Sequence, residues 1–465
     1  KQYIRVDTKL YNKQNDEKMK RDTIVANATP LIPSAVAIIR ISGEDSLRIA
    51  KEIFTLPKDV QERRAYFGKI LDLDKTVLDE GLLVYFKGPK SFTGEDVVEI
   101  YPHGSVPVVK KIIENVVKLG GRLAQPGEFT YRAFLNGKID LTQAEAIAEL
   151  ISAKTEKASK AAVNILQGKL SKQINTLKNK LLELISLIEA EINFPEDVEE
   201  IDSNLIIDNL SQVKTQIEKL LSSYKKGSIV KEGIKLAIVG RPNVGKSSLF
   251  NAMVGYERSI VSEYKGTTRD FIEESLKIND IPVILLDTAG LRETSEYVEK
   301  VGIEKAKQKI EEADIILFVI DGSEGFTDED KKIYDEIKNK THIFVVNKAD
   351  LIEKPLDIFE KFDNIVYTSS KTYQGIKELE EKIAEILGIT ETEDEVFINL
   401  RHYNLLKQAV EKIEYINSNL DFLLQNKEIL MLDLQEVLSY LQEIVGQITT
   451  EDVLGNIFSK FCIGK

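Results

Sequence analysis

"IKLAIVGRPNVGKSS" (234–248) joins a short apolar run to a turn of the form G-x-x-x-x-G-K-S. A buried strand feeding such a turn, followed by a helix, is the context in which successive backbone N–H groups cradle phosphates. Asn243, Val244, Gly245, Lys246, Ser247 and Ser248 are the expected phosphate contacts: Lys246 reaches the β and γ groups and Ser247 ligates Mg²⁺. Outward from this loop, "IPVILLD", "ADIILFVID", "HIFVVNK" and "NIVYTSS" alternate with polar helical segments to about residue 388. Continuous apolar strands alternating with helices predict a doubly wound α/β domain over 228–388.

Three further motifs fall where such a domain needs them. "DTAG", Asp287, Thr288, Ala289 and Gly290, ends the next strand, so that the carboxylate holds the Mg²⁺ shell and the Gly290 N–H meets the γ-phosphate. "NKAD" supplies Asn347, Lys348 and Asp350, and a carboxylate at 350 accepts both the ring N–H and the exocyclic amine of guanine, a pair that adenine does not present. "SSK", Ser369, Ser370 and Lys371, adds backbone contacts to the base. "GTTRD" (266–270) lies between the phosphate loop and DTAG, where a γ-phosphate-sensing switch belongs, with Thr268 as the second hydroxyl on Mg²⁺. Four ordered motifs predict GTP as the ligand. Leu291 follows DTAG where Ras-type enzymes carry a water-orienting Gln; an aliphatic side chain cannot align water, so another group must.

The flanks have a different grammar. Short apolar runs separated by turns over 23–137 ("AVAIIRI", "GLLVYF", "DVVEIY"), with one helix expected at 106–118, predict a small α/β domain. Apolar residues at spacings of three and four from Leu166 to Ile192 predict one long amphipathic helix ending near Phe194, then a second at 203–223. Helical periodicity returns after the acidic linker "ITETEDE", from Leu406 through Leu423 and on almost to the end. The expected organisation is an extension (1–22), an N-terminal domain (23–137), and a helical domain in two parts (138–227 and 389–465) around the inserted α/β domain. Two independent helical parts are the alternative.

The chain of 465 residues suits about three domains, and 43% hydrophobic with 30% charged residues suits a soluble globular protein. No apolar run approaches the ~18 residues needed to span a bilayer. The first 22 residues hold no apolar segment typical of a secretory signal, and a single cysteine allows no internal disulfide; a cytoplasmic location is expected. The chain opens on Lys1 with Met19 downstream, and residues 1–18 are expected to be a mobile extension or a remnant of processing. A net charge of −13 disfavours a simple nucleic-acid coat, so RNA must meet a local basic patch or a second protein. Three dispersed histidines and one cysteine offer no His/Cys metal cluster, leaving oxygen-bound metals.

From residue 23 onward the chain resembles the MnmE (TrmE) family of tRNA-modification GTPases. The resemblance rests on "DTIVANATP", "SFTGEDVVEIYPHG", "QPGEFTYRAFLNGKIDLTQAEAIAELI", "GRPNVGKSSLFNA", "GTTRD", "DTAGLRETSEYVEKVGIEKA" and "FCIGK". It implies a Ras-like P-loop GTPase domain inserted into a helical domain and preceded by a small α+β tetrahydrofolate-binding domain. It further implies nucleotide domains that pair face to face around K⁺, held by Asn243, Ser262, Tyr264 and Thr267, with Ser262 and Thr267 also beside the nucleotide. Glu299 matches the family's catalytic glutamate, although by itself it reads as an ordinary helix charge. Arg40, Glu99, Lys138 and Lys465 match folate-binding positions. Where the family commonly has a glycine-rich turn, this chain has "PLIPSA" (30–35), which alters the expected shape of that pocket.

Cys462, the sole cysteine, admits three readings. Cys-Ile-Gly-Lys fits a prenylation box poorly, and a small apolar residue under the last helix is the bland alternative. The resemblance implies the third: "FCIGK" is a signature whose cysteine acts in tRNA modification. The implied protein is a homodimer that, in a heterotetramer with an MnmG (GidA)-type flavoprotein, adds (carboxymethyl)aminomethyl groups at C5 of wobble uridine from a tetrahydrofolate one-carbon donor. FAD and NADH belong to that partner, since no G-x-G-x-x-G follows a strand here. A GTP switch that only binds, such as a ribosome-assembly factor, is the alternative use of the same nucleotide domain.

Overall fold

The structure is a computed structural model that describes residues 22–197, 201–257, 275–278, 280–287, 310–352, 364–388 and 396–465, together with a two-residue strand near the start. That strand, β1 (Ile4–Arg5), pairs antiparallel with Ile448–Thr449.

The N-terminal domain is a six-stranded sheet built from β2 (Ile24–Asn27), β3 (Ile39–Ser42), β4 (Ala65–Leu71), β5 (Val77–Phe86), β6 (Val97–Tyr101) and β7 (Arg122–Leu123), in the order β4-β5-β6-β3-β2-β7. All pairings are antiparallel except β2 with β7. Strand alternation sends Ile39, Ile41, Val98 and Ile100 into a core with Ile49, Ile53, Val109, Ile112 and Val116 from α1 (Ser46–Ile53) and α2 (Val106–Lys118). Their neighbours Arg40 and Glu99, paired across β3 and β6, therefore share the opposite face. The expected helix at 106–118 is present. Two more, α1 and α3 (Glu128–Leu135), are short enough at eight residues each that periodicity did not separate them from loop.

Helices α4 (Leu141–Ser152), α5 (Glu156–Leu166), α6 (Lys169–Asn193) and α7 (Ser203–Glu232) follow. The single long helix expected from Leu166 is broken at Gly168, which takes a left-handed φ of +81°. The Gln143 amide donates to the freed carbonyl of Leu166 at 2.9 Å. Helix α7 runs past its expected end at 223 because Gly227 lies where a Cβ would meet the Phe397 ring carbon stem at 2.5 Å, so the glycine serves packing and not a turn.

The α/β domain contains β8 (Ile234–Val239), α8 (Lys246–Glu257), β9 (Ser275–Ile278), β10 (Ile281–Asp287), β11 (Ile315–Asp321), α9 (Asp328–Ile337), β12 (His342–Asn347), β13 (Ile365–Tyr367) and α10 (Ile376–Leu387). The strand order is β13-β12-β11-β8-β10-β9, parallel throughout except that β9 runs antiparallel to β10. Every residue of β11 is buried, as its unbroken apolar run demands. One face of the sheet packs Leu236, Val319 and Val345 with residues of α8 and α10; the other packs Phe318, Phe344 and Val346 with Ile337 of α9.

The chain closes with α11 (Leu400–Ser418), α12 (Leu420–Gln425), α13 (Lys427–Ile444), β14 (Ile448–Thr449) and α14 (Glu451–Phe458). Helix α13 packs on both α11 and α6, so the two helical stretches form one body and the α/β domain is an insertion between them. Two compact units result: Lys1–Ser152, Ala162–Leu221 and Leu400–Lys465 in the first, Ala153–Ala161 and Ser222–Asn399 in the second. The N-terminal domain thus shares a unit with the helices, through a cluster in which Phe134, Leu141 and Ala144 meet Leu454, Phe458 and Phe461. Among the described residues no helix is long and apolar enough to cross a membrane.

Candidate functional site

In the second unit the loop after β8 is shaped by its backbone. Gly240 has φ +158° and no room for a side chain, since a Cβ would stand 2.3 Å from the Val319 carbonyl oxygen. Asn243 takes a left-handed φ of +64°, and Gly245 one of +96°. A Cβ on Gly245 would lie 2.2 Å from the Asn347 side-chain nitrogen, which donates to the Val244 carbonyl at 3.0 Å. Asn347 thereby ties the phosphate loop to the NKAD loop. Lys246 opens α8, and its Nζ donates to the carbonyls of Gly240 (2.8 Å) and Arg241 (2.7 Å), which holds the ammonium folded over the loop. Ser247 and Ser248 are exposed in the first helical turn, where unpaired N–H groups favour an anion.

The base end is equally organised. Ser370 donates through its backbone N–H (3.3 Å) and hydroxyl (3.0 Å) to Asn347 Oδ1, and the Ser369 hydroxyl donates to Asp350 Oδ1 at 2.6 Å. One oxygen of Asp350 is therefore oriented by SSK. Lys348, at φ +61°, pairs with Asp321 Oδ2 at 2.5 Å. Burial alone would raise the Asp321 carboxyl, but the Lys348 ammonium and the Ser323 hydroxyl and N–H hold it below its ordinary value. Lys371 is exposed.

Asp321 was not foreseen; its signal is the strand-ending "VIDG", read only as core. Nor was Arg241, whose guanidinium meets Glu324 at 2.6 Å and the fully buried Asp330 at 3.3 Å, bracing the phosphate loop from behind. Ser262, Tyr264, Thr267, Thr268, Thr288, Ala289, Gly290, Leu291 and Glu299 lie outside the described residues. Asp287 is described by its backbone, paired with Ile238 at the end of β10. Of the oxygen ligands expected for Mg²⁺ and K⁺, Ser247 and Asn243 are the described ones, both exposed on the phosphate loop and of suitable hard-donor chemistry. Among the described residues no group of three or more His, Cys, Asp or Glu could hold a metal.

In the first unit the expected folate residues gather round the outer face of the N-terminal sheet. Arg40 Nε pairs with Glu99 Oε1 at 2.8 Å, and Glu99 Oε2 accepts the Tyr101 hydroxyl at 2.5 Å. The guanidinium lies near two rings, 5.5 Å from the centroid of Phe92 and 5.6 Å from that of Phe129. Phe92 also lines an open pocket of about 680 Å³ with Arg63, Val84, Phe86, Lys90, Ser91 and Lys138. Lys138 Nζ donates to the Pro89 carbonyl at 2.8 Å, and Arg63 to the Lys90 carbonyl at 2.8 Å, so two of the three cations on the pocket wall are fixed in place.

Arg63, Lys90 and Phe92 were missed by sequence reasoning, although "RR" at 63–64 and "KGPK" at 87–90 are local basic clusters. The Lys465 carbonyl accepts the Phe129 N–H at 3.2 Å, and Cys462 is exposed. "PLIPSA" is pinned by Ser34, which exchanges backbone hydrogen bonds with Gly104 at 3.2 and 3.1 Å and leaves Ile32 61% exposed.

A buried network supports the pocket. Arg132, 3% exposed at its side chain, bonds Asp22, Glu95 and Glu128, and Arg122 bonds Asp22 and Glu128. Ser42 donates to Glu95 at 2.7 Å and shares a hydrogen bond with Thr93, while the Asn136 amide donates to the Thr93 carbonyl at 2.7 Å. The segment 91–95, which carries Phe92, is thus held from three sides.

Residues 141–462 match the MnmE helical domain family, and residues 23–138 match the GTP-binding protein TrmE N-terminus. The chain is similar to the tRNA modification GTPase MnmE of Aquifex aeolicus, with 51% identity over 448 residues that cover 96% of this chain and 100% of that protein. It is 43% identical over 458 residues to the protein of the same description from Acetivibrio thermocellus, covering 96% and 100% of the two chains.

Proposed function

Because the chain belongs to the MnmE (TrmE) family of tRNA modification GTPases, we propose that its GTP hydrolysis is K⁺-dependent and serves the addition of (carboxymethyl)aminomethyl groups at C5 of wobble uridine. The chain is a GTP hydrolase of tRNA modification; the cation, the partner flavoprotein of the MnmG type, the tetrahydrofolate donor and the cytoplasmic homodimer are the finer parts of this reading.

In it, Asp350, Asn347 and the 369–371 segment bind guanine, and Lys246 with the α8 N-terminus binds the phosphates. Ser247, Thr268 and the Asp287 carboxylate would hold Mg²⁺, which offsets phosphate charge. Asn243, Ser262, Tyr264 and Thr267 would hold K⁺, which supplies positive charge where an arginine finger otherwise acts. Glu299 orients the attacking water. Exchanging K⁺ for Na⁺ should lower GTP turnover by at least about tenfold, an electrostatic contribution of the size expected for one positive charge at developing phosphate charge. Equal turnover in the two salts, measured by phosphate release, would remove the cation from the mechanism.

The observation that carries the modification half is the FCIGK segment lying against Arg40, with Phe92 joining Arg40 to the cationic pocket. Arg63, Lys90 and Lys138 suit the anionic glutamate tail of a folate, and Phe86 and Phe92 suit its pterin ring. Tetrahydrofolate would supply the one-carbon unit when bound there, with Arg40 and Glu99 to orient it and Cys462 on the segment that Arg40 contacts. Tyr101 stays protonated, since burial and the Glu99 carboxylate push its hydroxyl up. Phe67, 72% exposed on edge strand β4, faces Leu82 across the β4–β5 register, an apolar patch that supports pairing of two copies.

Mass spectrometry of tRNA nucleosides after incubation with the flavoprotein partner, GTP, K⁺ and tetrahydrofolate tests the reading. Cys462→Ser should abolish the modified wobble uridine while phosphate release persists. Full modification by that variant would remove Cys462 from the chemistry, whereas no modified uridine with the wild-type protein would leave the chain a GTP switch without modification chemistry.

A further inference from the structure

The Phe461–Lys465 segment is held at three points, its two ends and Gly464. Phe461 is 6% exposed and its ring stacks on Phe458 at 5.7 Å, so it anchors one end. At the other end the Phe129 N–H donates to the Lys465 carbonyl at 3.2 Å, and Lys465 N–H turns back to the Cys462 carbonyl at 3.3 Å. Gly464, at φ +99°, presses against β2, where a Cβ would stand 2.4 Å from the Asn27 carbonyl oxygen. Between these anchors Cys462 and Ile463 face outward, Ile463 at 61% exposure.

The third point is a side chain. Arg40 Nη1 donates to the Gly464 carbonyl at 3.3 Å, while its Nε is held by Glu99 and the rings of Phe92 and Phe129 lie near it. A guanidinium fixed on one edge by a carboxylate and flanked by two aromatic rings has little freedom to follow a wandering segment, so it selects one placement. Arg40 is not among the residues lining the pocket, although Phe92 beneath it is.

We propose that Arg40 is a positioning residue that latches the Phe461–Lys465 segment to β3 and thereby holds the Cys462 thiol in one place on the N-terminal domain. Besides the folate contact proposed above, Arg40 would then contribute to the reaction through the placement of Cys462. The latch goes beyond the folate reading and stands without it.

Cys462 is the only cysteine in the sequence, so a nitroxide maleimide attached there reports the segment's motion in the full-length protein with no background mutation. Arg40→Gln should shift the docked-to-released balance by about tenfold or more, the effect of losing a hydrogen bond from a charged donor. It should show as a mobile component in the spin-label spectrum and as faster amide exchange at Gly464 and Lys465. Arg40→Lys, which keeps the charge and one donor, should restore part of the docked signal, and Lys138→Gln should leave it unchanged.

A folded Arg40→Gln protein, with wild-type melting temperature, label mobility and amide exchange, overturns the latch. If Arg40→Gln melts well below wild type, Glu99→Gln decides by the same readouts: it frees the guanidinium edge, and unchanged mobility would again overturn the proposal. These measurements need no ligand. Failure of the wild-type protein to bind tetrahydrofolate in a calorimetric titration would instead end the folate reading and leave the latch intact.

Discussion

Asp350→Asn should weaken GTP binding by roughly 10²–10⁴-fold, because two hydrogen bonds to a charged acceptor, each worth about 1.5–3 kcal/mol, are lost together. The geometry behind this is already set before any base arrives. The Ser369 hydroxyl occupies Asp350 Oδ1 at 2.6 Å, and Asn347 is committed to Val244 and Ser370, so the Asp350 carboxylate is oriented and its loop cannot swing aside to relieve a mismatch. An amide at 350 would set N–H donors against the N–H donors of guanine. Xanthine carries a carbonyl in place of the exocyclic amine, so the same variant should turn over XTP where the wild type does not. Titration with fluorescent GTP and XTP analogues measures both halves. Unchanged GTP affinity in Asp350→Asn would remove Asp350 from base recognition.

Arg401→Ala should destabilise the first unit by about 3–5 kcal/mol, the cost of leaving a buried carboxylate without its cation, and lower the melting temperature by on the order of 10 °C. Glu145 on α4 accepts Arg401 through both oxygens at 2.9 and 2.8 Å and is bonded to His402 Nε2 at 2.8 Å. Arg401 also donates to the carbonyls of Glu443 (2.9 Å) and Ile444 (2.9 Å), where the end of α13 concentrates negative charge. Burial alone would raise the Glu145 carboxyl, but Arg401 and His402 hold it far below its ordinary 4.5. Burial pushes the His402 ring below its ordinary 6.5 against the pull of Glu145.

Both folded-state values are depressed, so the unfolded chain binds more protons on acidification. The stability they contribute is present above about pH 6.5 and is lost in two stages as the pH falls, first through His402 and then, below 4.5, through Glu145. In Glu145→Gln the second stage should disappear. Scanning calorimetry at pH 7.5, 5.5 and 4 measures this, and an Arg401→Ala protein as stable as wild type would show that the triad is dispensable.

The α/β domain was legible because each of its signals is local. Five apolar runs became strands within a residue or two, since a strand buried on both faces must be continuously apolar whatever surrounds it. The phosphate loop could be read for the same reason: Gly240 and Gly245 stand where backbone conformation and close approach forbid a side chain, and such needs leave their mark at fixed spacing. Periodicity was weaker evidence where a single residue overrides it. Gly168 splits a helix that the apolar spacing ran straight through, and Gly227 fails to end one because Phe397, far along the chain, fills the space a side chain would have taken.

The amino-acid order by itself determined the α/β character of the inserted domain and the nucleotide it takes, because strand continuity, glycine conformation and hydrogen-bond polarity act over a few residues. Tertiary structure alone decided who meets whom. Arg40 and Gly464, 424 positions apart, touch because strand alternation turns Arg40 to the outer face of the sheet and the α14 cluster brings the FCIGK segment across it. Glu145 finds Arg401 only after two helical stretches separated by an entire domain pack together. Pairings of this kind depend on the closure of long loops, whose free energy changes slowly with length, and so no spacing in the sequence announces them.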